Sequence, residues 1–353
     1  MTTRLEITRP DDWHLHLRDG AALRAVLPHT AARFARAIVM PNLEPPITTT
    51  DAALAYRERI LEALPTGLAF EPLMTLYLTD RTSPAEIRRA GESRHVHGVK
   101  LYPAGATTNS AAGVTDLARL TDVLEELERT GMPLLVHGEV TDPATDVFDR
   151  ERAFLERVLA PLVERHARLR VVLEHVTTRE GVEFVLGARS GVAATITPQH
   201  LLLDRNAMFA GGLRPHLYCL PVLKRSAHRL ALLEAATSGD PRFFLGTDSA
   251  PHSIAAKESA CGCAGIFSAH AGIELYAEVF ESAGALDRLE GFASWHGADF
   301  YRLPRNGERL TLTRDPWRVP DSYPFEDGSL RPLRAGESVA YRVVPSGPPR
   351  PAP

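Results

Sequence analysis

The chain has 353 residues, of which 44% are hydrophobic and 24% charged, and its formal net charge is −4. This composition is ordinary for a globular protein with a large core, and the sequence has no basic cluster of the kind that indicates a nucleic-acid partner. No apolar run approaches the roughly 20 residues of a membrane-spanning helix, so we expect no membrane partner.

Cysteine usage and the first residues predict a cytoplasmic location. Three cysteines in a chain of this length are not typical of a disulfide framework. Charged residues such as Arg4, Glu6 and Arg9 occupy the positions where a signal peptide has its apolar segment. We therefore expect a protein of a reducing compartment.

The first chemically distinctive stretch is 12–20, DWHLHLRDG. Successive side chains of a strand point to opposite faces, so His14, His16 and Arg18 should share one face. The opposite face would carry Trp13, Leu15 and Leu17. Two imidazoles one residue apart can bind one metal ion, and a guanidinium is a good partner for a carboxylate. The alternative is a half-buried strand with solvated polar residues, which is the commoner explanation of an isolated His-x-His.

Seven further strands follow, separated by segments of helical periodicity. They are predicted at 36–42, 72–78, 97–103, 132–139, 169–176, 191–198 and 242–249. The predicted helices span 51–64, a short segment capped by Ser83, 116–130, 149–167 with a break near Pro161, and 178–186.

Eight apolar strands that alternate with helices predict an α/β fold, a closed (β/α)8 TIM barrel. No Gly-x-Gly-x-x-Gly follows the first strand, which weakens the alternative of an open dinucleotide-binding sheet. We expect one domain over 1–340 and a proline-rich, disordered tail over 341–353.

The segment 104–113 consists mainly of small and hydroxyl residues. Such a segment is either a solvated connection or a mobile lid that closes over a site. The sequence favours neither interpretation.

Chemically active residue types recur at or near the C-terminal ends of the predicted strands. They are His14, His16, Arg18, Asn42, Lys100, His137, His175 and Asp248. Each alone has a structural explanation, such as a polar cap or a surface lysine. Together they predict a metal site, because a barrel builds its active site at this rim from the ends of several strands.

The ligand types indicate which metal and how many ions. Four imidazoles and a carboxylate suit Zn²⁺ and related divalent ions, and two ions roughly 3.5–4 Å apart use this set better than one. Two neighbouring cations need a bridging anion. A buried lysine beside them, such as Lys100, should have a lowered pKa, and a neutral lysine can react with carbon dioxide to give a bridging carbamate.

The same residues lie in segments that resemble the dihydroorotases of the amidohydrolase superfamily, in their shorter single-function bacterial class. The segments are 9–20, 37–42, 100–103, 133–139, 174–175, 197–200, 214–221 and 246–252. The resemblance covers about Thr8 to Pro304. It implies a homodimeric enzyme that reversibly cyclises a small molecule, N-carbamoyl-L-aspartate, to L-dihydroorotate with loss of water in pyrimidine (UMP) biosynthesis.

The resemblance also implies a role for each residue. His14, His16 and Asp248 would bind the more buried of two zinc ions per subunit, and His137 and His175 the second. Carbamylated Lys100 would bridge both ions beside a bridging hydroxide, the nucleophile, and Asp248 would act as general base and then acid. The implied substrate-binding residues are Arg18, Asn42 and His252 at the α-carboxylate, Leu220, Ala264 and Gly265 at the ring amide and carboxylate, and Thr107 and Thr108 on the lid.

Two alternatives remain. Another cyclic-amide hydrolase, such as a hydantoinase or allantoinase, would not need Arg18, Asn42 and His252 together to bind an α-carboxylate. A non-catalytic barrel serving as a scaffold would have gaps in its ligand set, and the sequence shows no such gap.

Overall fold

The structure is a computed structural model that describes residues 4–344. Its strands are β1 (Arg4–Thr8), β2 (Asp12–Leu15), β3 (Arg36–Val39), β4 (Glu71–Tyr77), β5 (Val96–Leu101), β6 (Leu134–Val136), β7 (Val171–Leu173), β8 (Val192–Ile196), β9 (Phe243–Leu245), β10 (Arg309–Thr313), β11 (Trp317–Arg318), β12 (Tyr323–Phe325), β13 (Gly328–Leu330), β14 (Ser338–Val339) and β15 (Arg342–Val344).

The helices fill the connections. They are α1 (Gly20–Ala31), α2 (Thr50–Glu62), α3 (Pro84–Glu92), α4 (Thr121–Thr130), α5 (Arg150–Phe154), α6 (Ala160–Arg165), α7 (Arg179–Gly187), α8 (Pro198–Leu202), α9 (Ser226–Thr237), α10 (Ile254–Lys257), α11 (Gly272–Ser282) and α12 (His296–Tyr301). Short 3₁₀ turns lie at Leu117–Leu120, Arg205–Met208, Pro215–Leu217, Ala269–Ala271 and Leu286–Arg288, and π-turns at Leu155–Leu159 and Gly291–Trp295. None of the described helices combines the length and hydropathy needed to cross a bilayer.

Strands β2 to β9 form one parallel sheet in sequential order. Its two edges meet, because the amide of Asp248 donates to the carbonyl of His14 (2.8 Å) and the amide of His16 donates to that of Ser249 (3.1 Å). A sheet joined to itself in this way is a barrel, so the predicted (β/α)8 fold is confirmed.

Alternation along β5 decides where Lys100 points. Val99 and Leu101 pack in the core cluster that lies between the sheet and its helices. Lys100 and Gly98 alternate with them and so face the barrel interior, where Gly98 leaves room for Leu135. The strand therefore carries a lysine into the barrel.

The alternation predicted for β2 is only partly right. Leu15 and Leu17 pack in the outer cluster, as expected. Trp13, however, belongs to the inner cluster and stacks on Tyr301, with 4.7 Å between the ring centroids. The register of β2 against β3 shifts between Asp12 and Leu15, and such an irregularity interrupts the alternation of side chains.

The predicted helices occur close to their predicted positions. Ser83 caps α3 by accepting from the amide of Glu86. The helix predicted over 149–167 with a break near Pro161 consists of α5, a π-turn and α6. Its irregular part, the π-turn, ends just before Pro161.

An antiparallel sheet of β1, β10 and β15 lies apart from the barrel in the pairing order and was not predicted. Strand β15 (Arg342–Val344) falls inside the segment predicted as a tail from residue 341 onward. The remainder of that predicted tail, 345–353, lies outside the described residues.

Candidate metal centre and active site

Barrel closure brings the first predicted ligand group together. Nε2 of His14 lies 3.3 Å from Oδ1 of Asp248, and Nε2 of His16 lies 3.1 Å from the same oxygen. One ligand atom from each of the three residues lies within 4.8 Å of the others, and all three residues are buried. Two imidazole nitrogens and a carboxylate oxygen at this spacing fit a divalent metal ion.

Buried partners fix the orientation of the two imidazoles. Nδ1 of His14 is 2.8 Å from Oε2 of Glu174, and Nδ1 of His16 is 2.8 Å from Oδ1 of Asn42. A proton on each Nδ1 leaves the lone pair of Nε2 directed toward Asp248. Thr195 donates to the same Glu174 oxygen at 2.6 Å, which holds that carboxylate in place.

His137 and His175 lie next to the first group. The ring centroids are 4.8 Å apart between His137 and His175, and 5.0 Å apart between His175 and His14. Nε2 of His137 is 2.9 Å from Oε2 of Glu139, which leaves Nδ1 as the nitrogen available for a ligand bond. The four predicted histidines therefore form one continuous cluster.

Lys100 is the strongest sign that this cluster needs a further group. Its side chain is fully buried, and Nζ has no hydrogen-bond partner among the described residues. Burial lowers the pKa of Lys100 to about 8, as expected for a lysine in a barrel wall. An unpartnered buried ammonium is costly, so the arrangement fits a lysine that is neutral or chemically modified.

The protonation states of His16 and Asp248 also suit a metal. Burial lowers the pKa of His16 to about 4. Burial alone would raise the pKa of Asp248, but His14 and His16 hold it well below its ordinary value. A neutral imidazole and an ionised carboxylate are the forms that bind metal ions.

Three site residues have a backbone conformation that is rare outside glycine. The φ angles are 60° at Arg18, 41° at His175 and 45° at Asp248. Such conformations cost energy and cluster at functional sites, where the surrounding structure enforces them. Here they occur where chain segments leave the barrel strands.

One cavity joins the histidine cluster to the predicted substrate-binding residues. Its lining consists of His14, His16, Arg18, Asn42, Tyr102, Thr107, Thr108, His137, His175, Leu220, Asp248, Ala250, Ala264 and Gly265. Of the predicted site residues, Lys100 and His252 are absent from this lining. Nζ of Lys100 lies 5.1 Å from the centroid of the lining ring of Tyr102, and His252 contacts Arg18.

His252 faces two partners with one nitrogen. Its Nε2 lies 3.1 Å from Nη2 of Arg18 and 3.1 Å from the carbonyl oxygen of Ala264. Nε2 either accepts from Arg18 or donates to Ala264, since one ring nitrogen cannot do both at once. A change of tautomer would therefore change which residue His252 supports.

The segment 104–113 lies against the cavity. Nδ2 of Asn42 donates to the carbonyl of Thr108 at 3.3 Å, and the Thr108 hydroxyl donates to the carbonyl of Ala264 at 3.4 Å. Asn109 donates back to the carbonyl of Asn42 at 3.1 Å. These contacts favour the lid over the solvated connection, and its motion stays a prediction.

The sequence reasoning gave no role to several residues of the site. Glu139 and Glu174 hold the metal-facing histidines, and Tyr102 lines the cavity. The carboxylates could have been found, because each lies within two positions of a predicted ligand and histidine ligands commonly pair with a carboxylate.

Comparison with known proteins decides the family. Residues 11–319 match the profile of the Amidohydrolase family. A dihydroorotase of Methylobacillus flagellatus is 66% identical over 343 residues, which cover 97% of this chain and 99% of the relative. The chain belongs to the dihydroorotase family of amidohydrolases. The resemblance found in the sequence is thereby confirmed, and the chain is a hydrolase of cyclic amides.

Two solved structures have the same fold. The crystal structure of the dihydroorotase of Campylobacter jejuni superimposes with a TM-score of 0.89 at 35% identity, covering 97% of this chain and 98% of that chain. The L-hydantoinase of Arthrobacter aurescens superimposes with a TM-score of 0.79 at 18% identity, covering 96% and 82%. At that identity the second likeness concerns the fold alone.

Proposed function

We propose that this dihydroorotase-family chain interconverts N-carbamoyl-L-aspartate and L-dihydroorotate, the cyclisation step of pyrimidine biosynthesis. The proposal rests mainly on one cavity. The histidine and aspartate cluster lines one side of it, and Arg18 and Asn42 line the other. A site for this substrate needs both parts, one to act on the amide and one to bind the α-carboxylate.

We further propose that the cluster holds two zinc ions. His14, His16 and Asp248 would hold the first and His137 and His175 the second, and a carbamate on Lys100 would bridge them. The fit rests on the converging ligand atoms and on the unpartnered Nζ of Lys100. When bound, such a pair of ions supplies Lewis acidity and a hydroxide at neutral pH.

Asp248 is the proposed general acid and base. In ring opening its carboxylate takes the proton of the attacking water and delivers it to the leaving ring nitrogen. In ring closure it takes the proton of the carbamoyl nitrogen as that nitrogen attacks the side-chain carboxyl group. The ionised state of Asp248, which its contacts with His14 and His16 stabilise, is consistent with this role, because only the ionised form accepts a proton.

The remaining residues bind and orient the substrate. Arg18, Asn42 and His252 would hold the α-carboxylate by charge-assisted hydrogen bonds. Leu220, Ala264 and Gly265 would contact the ring, partly through backbone atoms. Gly265 has φ 153°, and an added Cβ would lie 2.4 Å from the carbonyl oxygen of Ala250, so this position of the cavity lining requires glycine.

The lid would exclude water from the cavity. Thr107 and Thr108 line the cavity from the segment 104–113, and their hydroxyl groups are suited to contact carbamoyl aspartate. Closure of such a loop also orders the groups that it touches, here Asn42 and Ala264.

We also propose a cytoplasmic homodimer. The three cysteines are free thiols, which suits a reducing compartment.

A groove of about 620 Å³ between α4 and the α5–α6 segment offers a surface for a second copy. Apolar Val158 and Pro161 lie beside charges of both signs, Asp116 and Arg157, a combination that suits a self-complementary two-fold contact. Sedimentation velocity of wild-type protein and of the Val158→Arg variant tests this: a monomeric variant supports the groove, and a dimeric one rules it out.

The first experiment on function follows the ultraviolet absorbance of L-dihydroorotate with metal-replete protein, with a hydantoin as the control substrate. We expect loss of dihydroorotate that a chelator abolishes, and no turnover of the hydantoin. Turnover of the hydantoin alone would make the chain a hydantoinase-like enzyme. No turnover of either substrate, in protein shown to hold two metal ions, would contradict the proposed activity.

A further inference from the structure

Lysine is rare in this chain and always buried. Only Lys100, Lys224 and Lys257 are lysines among the 40 lysine and arginine residues. Their side chains are 0%, 4% and 3% exposed. Among the described residues, every exposed Lys or Arg side chain is thus an arginine, and lysine occurs only at buried positions. A lysine there offers a compact ammonium group, whereas an arginine offers a planar guanidinium.

Lys257 binds three backbone carbonyls at once. It ends α10, and its Nζ lies 2.7 Å from the carbonyl oxygen of Tyr218, 2.7 Å from that of Cys263 and 2.9 Å from that of Gly265. An ammonium group has three N–H donors and no acceptor. Three carbonyl oxygens therefore use its whole hydrogen-bonding capacity.

These carbonyls belong to two segments that line the cavity. The first contains Leu220, and the second contains Ala264 and Gly265. The amide of Gly265 also donates to the carbonyl of Tyr218 at 3.1 Å, so the two segments are joined directly as well as through Lys257. The second segment in turn receives the lid, because the Thr108 hydroxyl donates to Ala264.

We propose that Lys257 is a positioning residue: its ammonium group sets the spacing of the segments that carry Leu220, Ala264 and Gly265, and thereby the affinity for the ring substrate. This role rests on the proposed function. Without the ammonium group the carbonyls of Cys263 and Gly265 would lose their donor, only that of Tyr218 would keep one, and the segments would move apart. A displacement of about 1 Å at such contacts can lower kcat/KM by as much as about a hundredfold.

The geometry also explains why this position is not an arginine. The donors of a guanidinium lie in one plane and diverge from three nitrogen atoms. The carbonyls of Tyr218, Cys263 and Gly265 converge on a single atom. We therefore expect Lys257→Arg to keep the charge and still lose part of the function.

The test compares wild-type protein with Lys257→Met, Lys257→Arg and the matched control Lys224→Met. Lys224 is also buried, but its Nζ donates to one carbonyl, that of Val222, at 3.0 Å. The readouts are kcat and KM for L-dihydroorotate, metal ions bound per chain, and thermal stability. We expect Lys257→Met to raise KM by about ten- to a hundredfold, with kcat and metal content close to those of wild-type protein.

The variants separate positioning from general stability. Lys224→Met should leave KM unchanged whatever it does to the melting temperature. If Lys257→Met does not fold, the test uses Lys257→Arg, for which we expect a smaller rise in KM than for Lys257→Met. A wild-type KM in the folded Lys257 variants would overturn the proposal, and so would an equal rise in Lys224→Met. Wild-type protein without dihydroorotate turnover would overturn the proposed function and this role with it.

Discussion

Two buried lysines stand on different sides of the cavity, and their surroundings are opposite. Lys100, on the strand side, has no hydrogen-bond partner among the described residues, whereas Lys257, on the loop side, has three. Burial lowers the pKa of both to about 8. A lysine without partners is poised to lose its charge or to be modified, while a fully bonded one stabilises the backbone around it.

The same contrast separates the two halves of the site. On the strand side, His14 and Lys100 project from β2 and β5, and the barrel hydrogen bonds fix their backbone. On the loop side, Thr108 and Ala264 lie on connections without regular secondary structure, which are held by individual hydrogen bonds such as those from Thr108 and Lys257. Sites built on regular elements are held more rigidly than sites on loops. We therefore expect changes on the strand side to affect metal binding and kcat, and changes on the loop side to affect KM.

The largest effect is expected for Asp248→Asn. The amide keeps an oxygen that can bind metal but cannot take a proton, so kcat for dihydroorotate should fall about 10⁴-fold while part of the metal remains bound. Steady-state kinetics together with metal analysis measure this. The exposed Asp287→Asn is the control and should leave kcat unchanged. Near-normal turnover in Asp248→Asn would rule out its acid and base role.

Lys100→Met tests the strand side with the same substitution as Lys257→Met. Loss of the proposed carbamate should lower bound metal from two ions per chain to one or none, and kcat about 10³-fold. Mass-spectrometric metal analysis of the purified variant gives the count. Two tightly bound ions and an unchanged kcat would mean that Lys100 bridges nothing.

Glu139→Gln should have a smaller effect on the same side. Removing the negative charge opposite Nε2 of His137 should weaken metal binding by about 10–100-fold. Competition with a chromogenic chelator measures the affinity. Glu128→Gln is the matched control, because Glu128 contacts His166 in a similar pair outside the cavity. An equal loss in both variants would point to general destabilisation.

The smallest effect is expected on the loop side, for Thr108→Val. Losing the hydroxyl removes the contact with Ala264, which should raise KM about fivefold and leave metal content and kcat unchanged. Thr115→Val, which loses a contact with Asp80 at the far end of the same connection, is the control. A fall in metal content in Thr108→Val would contradict the expectation that changes on the loop side affect KM alone.

Much of this arrangement was readable from the sequence. The eight strands could be predicted because apolar runs and helical periods are local patterns. Each predicted strand occurs in the structure close to its predicted position. The candidate ligands followed, because a barrel brings the C-terminal ends of its strands to one rim. The lowered pKa of Lys100 followed from its expected burial, which disfavours the charged form.

Only the tertiary structure decided which residues support these ligands and segments. Glu174 lies 160 positions from His14 and still holds its Nδ1, and Lys257 reaches a carbonyl 39 positions away. Trp13 lies on the inner side of the barrel because β2 is irregular against its neighbour. Local patterns specify which way a segment folds, but contacts between distant segments depend on the register and closure of the whole sheet.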